Sequence, residues 1–248
     1  MKIALAMWGN TRMMILAAVC SAIYGAALIA FKTAIPLIPG ITEIRVANIF
    51  PIGFSLLFGP AGAWGAAIGN LIGDLFGGTL GPGSVAGFVG NFLLGYLPYT
   101  LWNTLLPPLG RDREWKPESW RCWTNAILVA WISSAACAVV ISVAVDALGI
   151  VPYALLSKII TLNNAFGSLI GIFLLTSVFK VVHQQLGLFW VDILNPGGGR
   201  SSFKAILGAW MVTLASLAGL AGNLILPYPP ATIGWVCATV ILVGSVLL

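Results

Sequence analysis

The stretch GAWGAAIGNLIGDLFGG, Gly62 to Gly78, decides how the chain is read. Its Ala, Ile, Leu, Trp and Phe are apolar enough for a membrane. Gly65, Gly69, Gly73 and Gly77 recur every four residues, a side-chain-free stripe on which another helix can pack closely. Yet Asn70 and Asp74 stand one helical turn apart beside that stripe. An ionised Asp at the bilayer centre costs on the order of 2.5–3.5 kcal/mol on insertion scales, so a chain that keeps one sets it against a partner, a water-filled cavity or the interface.

The rest of the chain supplies the same solvent. Of 248 residues, 59% are hydrophobic and only 8% charged, with a mean hydropathy of +1.00, so most of the chain suits lipid rather than water. The apolar runs are about 17–25 residues long and lack the strict alternation of barrel strands. An all-α integral membrane protein is expected, with about eight spans near 13–31, 46–58, 63–77, 85–106, 123–145, 159–182, 203–226 and 232–248. The second and third are short and flanked by glycine.

With the N-terminus in the cytoplasm, the spans place nine of the twelve Lys and Arg residues inside and leave Lys32, Arg45 and Lys158 outside. That is the positive-inside pattern, and both termini are therefore expected in the cytoplasm of a multi-pass cell-membrane protein. The net charge of +5 reports topology, not nucleic-acid binding, because no basic run is interleaved with aromatics. Arg12 interrupts the first apolar run, so no cleaved leader is expected. The loop Gly110 to Arg121 reads as a solvated connector. The segment LGLFWVDIL, 186–194, suits the headgroup layer and precedes a flexible Pro-Gly-Gly-Gly break. The organisation is thus expected to be a six-helix bundle over 1–182, a cytoplasmic linker over 183–202 and a C-terminal transmembrane hairpin over 203–248.

Polar residues recur on the outer side of this arrangement. Glu43 and Arg45 precede the second span and Asn48 begins it; Asn91 lies in the fourth span, and Asn163 with Asn164 toward the outer end of the sixth. Together with Asn70 and Asp74 they suggest a small-molecule pocket. Arg45 would either neutralise Asp74 or receive an anionic group. Trp64, Phe76 and Phe88 are candidate aromatic neighbours of a ligand, with packing or lipid-facing roles as the alternative.

Helix one carries Ala18, Ala22, Ala26 and Ala30 at four-residue spacing, a small-residue seam for tight association within the bundle or with a partner. The four cysteines are scattered and read as small hydrophobes. No metal site is expected, since Asp74 and Glu43 lack clustered ligands. Without a P-loop, a nucleophile motif or any histidine besides His183, which reads as interfacial, neither an enzyme nor a cofactor is expected.

The E-x-R at Glu43 and Arg45 followed by FGPAGAWGAAIGNLIGDLFGG, with Phe58, Gly59, Pro60, Gly69, Gly73 and Asp74, resembles the S components of energy-coupling factor (ECF) vitamin transporters, in particular those for queuosine precursors. The likeness covers roughly residues 13–182. It implies capture of a scarce small molecule at the outer face, with a membrane coupling protein and two cytoplasmic ATPases as partners. It also implies coupling through an alanine-rich seam on the first helix, here Ala18, Ala22 and Ala26. The substrate set it implies is Glu43, Arg45, Asn48, Asn70, Asp74, Asn91 and Asn163. The hairpin 203–248 departs from the six-helix core of that family. A stand-alone permease or lipid-handling protein, or a structural assembly subunit, remain the rival readings.

Overall fold

In the computed structural model the described residues are 1–31, 36–38, 42–43, 45–110, 114–196, 202–225 and 229–248. Their elements are α1 (Lys2–Ala6), α2 (Thr11–Phe31), the short antiparallel strands β1 (Pro36–Ile38) and β2 (Thr42–Glu43), α3 (Phe50–Phe58), α4 (Pro60–Phe76), α5 (Pro82–Leu101), α6 (Trp120–Ala147), α7 (Tyr153–Lys180), α8 (Trp190–Leu194), α9 (Phe203–Ile225) and α10 (Pro230–Leu247). A 3-10 turn, Val46–Ile49, leads into α3.

The fold is that of an all-α membrane protein. Among the described residues, five segments are long and apolar enough to cross a membrane: Thr11–Phe31, Trp120–Ala147, Tyr153–Leu194, Phe203–Gly222 and Pro230–Leu247. Val46–Phe58 is a shorter apolar helix. Eight helices, α3 the shortest of them at nine residues, fall near the apolar runs, while α1 and α8 are additional short pieces. Three boundaries differ by about a turn or more: α7 starts at Tyr153, six residues before 159; α3 starts at Phe50, with the 3-10 turn Val46–Ile49 ahead of it; and α5 stops at Leu101, not near 106. Asn125 of α6 donates from Nδ2 to the Trp102 carbonyl at 2.7 Å, drawing the chain out of the helix under α6.

The glycine stripe is used for close approach. A β-carbon at Gly65 would stand 2.3 Å from Cys20 Cβ, one at Gly69 3.0 Å from Tyr24 Cβ, and one at Gly73 2.9 Å from Leu28 Cβ. Cys20, Tyr24 and Leu28 follow one another at four-residue spacing on α2, so stripe and ridge match turn for turn. The alanine seam lies on the other side of α2: Ala18, Ala22, Ala26 and Ala30 are all exposed, so internal packing does not use them.

Between α3 and α4 the chain reverses at Gly59, with φ +51° and ψ −119°, a conformation only glycine adopts readily. A β-carbon there would also meet the Trp190 indole at 2.5 Å. Trp190 and Phe189 are buried, so the LGLFWVDIL segment turns its aromatic side into the protein. His183, in the π-helical turn Val181–Gln185, places Nε2 3.1 Å from Asp192 Oδ2 between Phe179 and Phe189.

The terminal hairpin packs on α6 and α7. Gly219 of α9 lies against Val139 of α6, Gly234 of α10 against the Tyr153 ring, and the Tyr153 hydroxyl donates to the Gly219 carbonyl at 2.7 Å. Gly208 and Gly244 bring α9 and α10 together backbone to backbone.

Gly69→Val should lower the melting temperature in detergent, by overpacking worth about 1–3 kcal/mol. Gly53→Ala, whose β-carbon meets nothing within 4 Å, should leave it unchanged or raise it slightly. Tyr153→Phe removes one hydrogen bond and should raise amide hydrogen exchange around Gly219 selectively, leaving the α2–α4 contact as protected as before.

Candidate functional site

The chain runs up and down, so the C-terminal ends of α2, α4 and α6 and the N-terminal ends of α5 and α7 lie at one end of the bundle, together with the Val46–Ile49 turn. Two layers of polar side chains meet there. Close backbone approach makes room for them: a β-carbon at Gly87 would stand 2.9 Å from Asn70 Nδ2, and one at Gly167 2.8 Å from Asn48 Cβ.

The outer layer centres on Arg45. Its backbone N–H donates to Asn163 Oδ1 at 3.1 Å and its Nη1 to Asn70 Oδ1 at 3.2 Å. Asn70 in turn donates from Nδ2 to Asp74 Oδ2 at 3.3 Å, and Thr79 Oγ1 lies 3.5 Å from Asp74 Oδ1. The contact between Arg45 and Asp74 therefore runs through Asn70, which is buried, while Asp74 and Arg45 are half-buried. Glu43 pairs with Pro36 through its backbone in the β1–β2 ladder; its side chain lies outside the described residues.

The inner layer lies about one turn deeper and is wholly buried. The Tyr24 hydroxyl is 2.9 Å from Asn48 Oδ1 and 3.0 Å from Asn91 Oδ1. Asn48 Nδ2 is 2.6 Å from Asn164 Oδ1, Asn91 Nδ2 donates to the Gly87 carbonyl at 2.8 Å, and Asn164 Nδ2 is 3.3 Å from Cys137 Sγ. This chain ties α2, the turn before α3, α5, α7 and α6 together. Each such hydrogen bond within a membrane bundle is worth about 0.6 kcal/mol on average, so the set fixes geometry more than it stabilises.

Of the residues singled out by sequence, Arg45, Asn48, Asn70, Asp74, Asn91 and Asn163 all come together in these layers. The aromatic neighbours do not. Trp64 donates from Nε1 to the Ala4 carbonyl at 2.8 Å and packs on Trp8 and Phe92, committed to the N-terminal segment near the start of α4. Phe76 is 71% exposed at the perimeter, and Phe88 packs toward Trp64. Sequence reasoning missed Tyr24 and Cys137, one a tyrosine in an apolar run and the other a scattered cysteine. No sequence signal singled out Tyr24, because its place on the α2 ridge opposite Gly69 emerges only from the fold. Among the described residues no group of His, Cys, Asp and Glu is placed to hold a metal ion.

No curated protein and no solved structure matches the chain. A family model described as QueT transporter does, over residues 14–180, from the start of α2 to the end of α7. That span holds the glycine stripe, the alanine seam and both polar layers, and covers roughly two-thirds of the sequence. On that match the chain belongs to the QueT transporter family.

Proposed function

We propose that this chain is the substrate-capturing S component of an ECF-type transporter, taking up a queuosine-precursor base. It would work with a membrane coupling protein and two cytoplasmic ATPases that supply the energy. The observation that carries the reading is the pairing of two features on opposite sides of one helix. Toward the bundle, α2 presents Tyr24 to a buried polar centre; away from it, α2 presents Ala18, Ala22 and Ala26, small and exposed. The first is what ligand capture requires, and the second lets a partner helix approach closely.

The orientation that satisfies the positive-inside rule opens the polar end to the outside and leaves both termini in the cytoplasm. A 7-deazaguanine base, common to queuosine precursors, offers two N–H donors on one edge and a carbonyl beside them. Asp74 matches the donors and the Arg45–Asn70 pair the carbonyl, with Glu43, Asn163, Asn48 and Asn91 completing the site. The hairpin α9–α10 supports the same division of labour, because it packs on α6 and α7 and leaves the α2 seam uncovered.

Binding of 7-deazaguanine to the purified protein, and recovery of partners from native membranes, test the two halves separately. Asp74→Ala should weaken binding by about 10–100-fold, the loss of a charged hydrogen-bond acceptor, with expression and partner recovery unchanged. Ala22→Trp should do the reverse, losing the coupling protein and ATPases while keeping the base. Uptake by the reconstituted protein alone, without any ATPase, would favour a stand-alone permease and sink the proposal.

A further inference from the structure

The end of the bundle opposite the polar layers is closed by chain that follows α7, beyond the residues the family model matches. α7 ends at Lys180 and passes into the π-helical turn Val181–Gln185; the chain then turns at Gly187, with φ +60°. Nothing lies within 4 Å of a β-carbon built there, so this glycine serves the backbone turn and not a close contact. A second left-handed residue, Asn195 at φ 42° and ψ 61°, ends α8. Between these two points the segment Leu188–Leu194 turns Phe189 and Trp190 into the protein.

Three contacts hold it down. Trp190 fills the notch over Gly59, where α3 meets α4, and its ring lies 5.2 Å from that of Tyr99 on α5. Phe189 packs on Phe179 of α7, ring centroids 5.5 Å apart. His183 stands before Gly187 and Asp192 after it, so their 3.1 Å contact spans the turn and clasps the segment to the π-helical stretch.

One group works against the docking. The Tyr99 hydroxyl is buried and has no hydrogen-bond partner among the described residues. The ring sits in T-shaped contact with both Tyr96 and Trp190, and the Tyr99 backbone N–H donates to Ser55 Oγ at 3.1 Å, so the side chain is held where it is. A buried hydroxyl left unsatisfied destabilises the state that buries it.

We infer that Leu188–Leu194 is a strap with two positions, docked over Gly59 and lifted about Gly187, and that the unpartnered Tyr99 hydroxyl keeps the docked position shallow. Burial of Phe189 and Trp190 and the His183–Asp192 clasp favour docking; the phenol opposes it. In the lifted position water reaches the phenol and α8 unravels, since a helix of five residues does not persist alone in water. The joint between α3 and α4 then loses the indole that covers it, while the long helices keep their contacts. This end of the bundle thus carries a closure that opens without unfolding.

Amide hydrogen exchange of the full chain in detergent reads the strap directly. Leu188 N–H donates to the Val182 carbonyl at 3.0 Å across the turn, and Asn195 N–H to the Val191 carbonyl at 2.9 Å within α8. In wild type both should exchange well ahead of the α6 amides around Val139. Tyr99→Phe removes the hydroxyl and keeps the ring, and should slow them by roughly tenfold, the scale of one relieved orphan group. Asp192→Ala should speed them by roughly two- to fivefold, the scale of a partly exposed pair, and both variants should leave exchange at the α2–α4 contact unchanged. Strap amides that exchange only together with α6 overturn the two positions. Tyr99→Phe that speeds strap exchange, or leaves it unmoved, overturns the role of the phenol, and Asp192→Ala without effect overturns the clasp.

Discussion

The seating of α4 on α2 is the contact on which the rest of the bundle depends. In lipid there is little hydrophobic force between helices, and association relies on van der Waals fit and hydrogen bonds. Glycines at 65, 69 and 73 meet Cys20, Tyr24 and Leu28 turn for turn, so the two helices sit closer than side chains would otherwise permit. That closeness puts the Tyr24 ring against Gly69 and carries its hydroxyl to Asn48 and Asn91. It also fixes the rotation of α2, and so decides that the alanines face outward.

Polarity within this bundle follows the same economy of space. Amides need partners once water is gone, and partners need short distances. Gly87 and Gly167 supply those distances on α5 and α7 as the stripe does on α4. Asparagine serves well here, because one amide both gives and receives and carries no charge into the membrane. The charged residues Arg45 and Asp74 stay in the outer, half-buried layer, where the cost of ionisation falls.

Much of this was legible in the sequence, for identifiable reasons. Helix positions follow from apolar length, and the glycine stripe from its period. Asn and Asp in apolar runs are expensive enough that their meeting in one place was a fair expectation. Aromatic residues gave no such guidance: Trp64 and Phe76 are as welcome against another helix or in lipid as beside a ligand, and they went there. Tyr24 escaped notice because a single tyrosine in an apolar run looks like core until its neighbours are known. The side of α2 that the alanines occupy was equally unreadable, since small residues suit an inner seam and an outer one alike, and only the glycine contact on the opposite face decides between them.

The placement of the last two helices bears on how the molecule is made. Four-fifths of the apolar window of α6 is buried, against one-third for α2 and for α10, so α6 keeps only a narrow exposed strip, at Ile127 and Trp131, in the finished protein. Part of its cover comes from α9 and α10, which follow it in the chain and leave the ribosome later. Until they arrive, the flank of α6 around Val139 stands open to the membrane. The bundle therefore closes late: its central helix becomes central only when α9 and α10 have been synthesised and have docked.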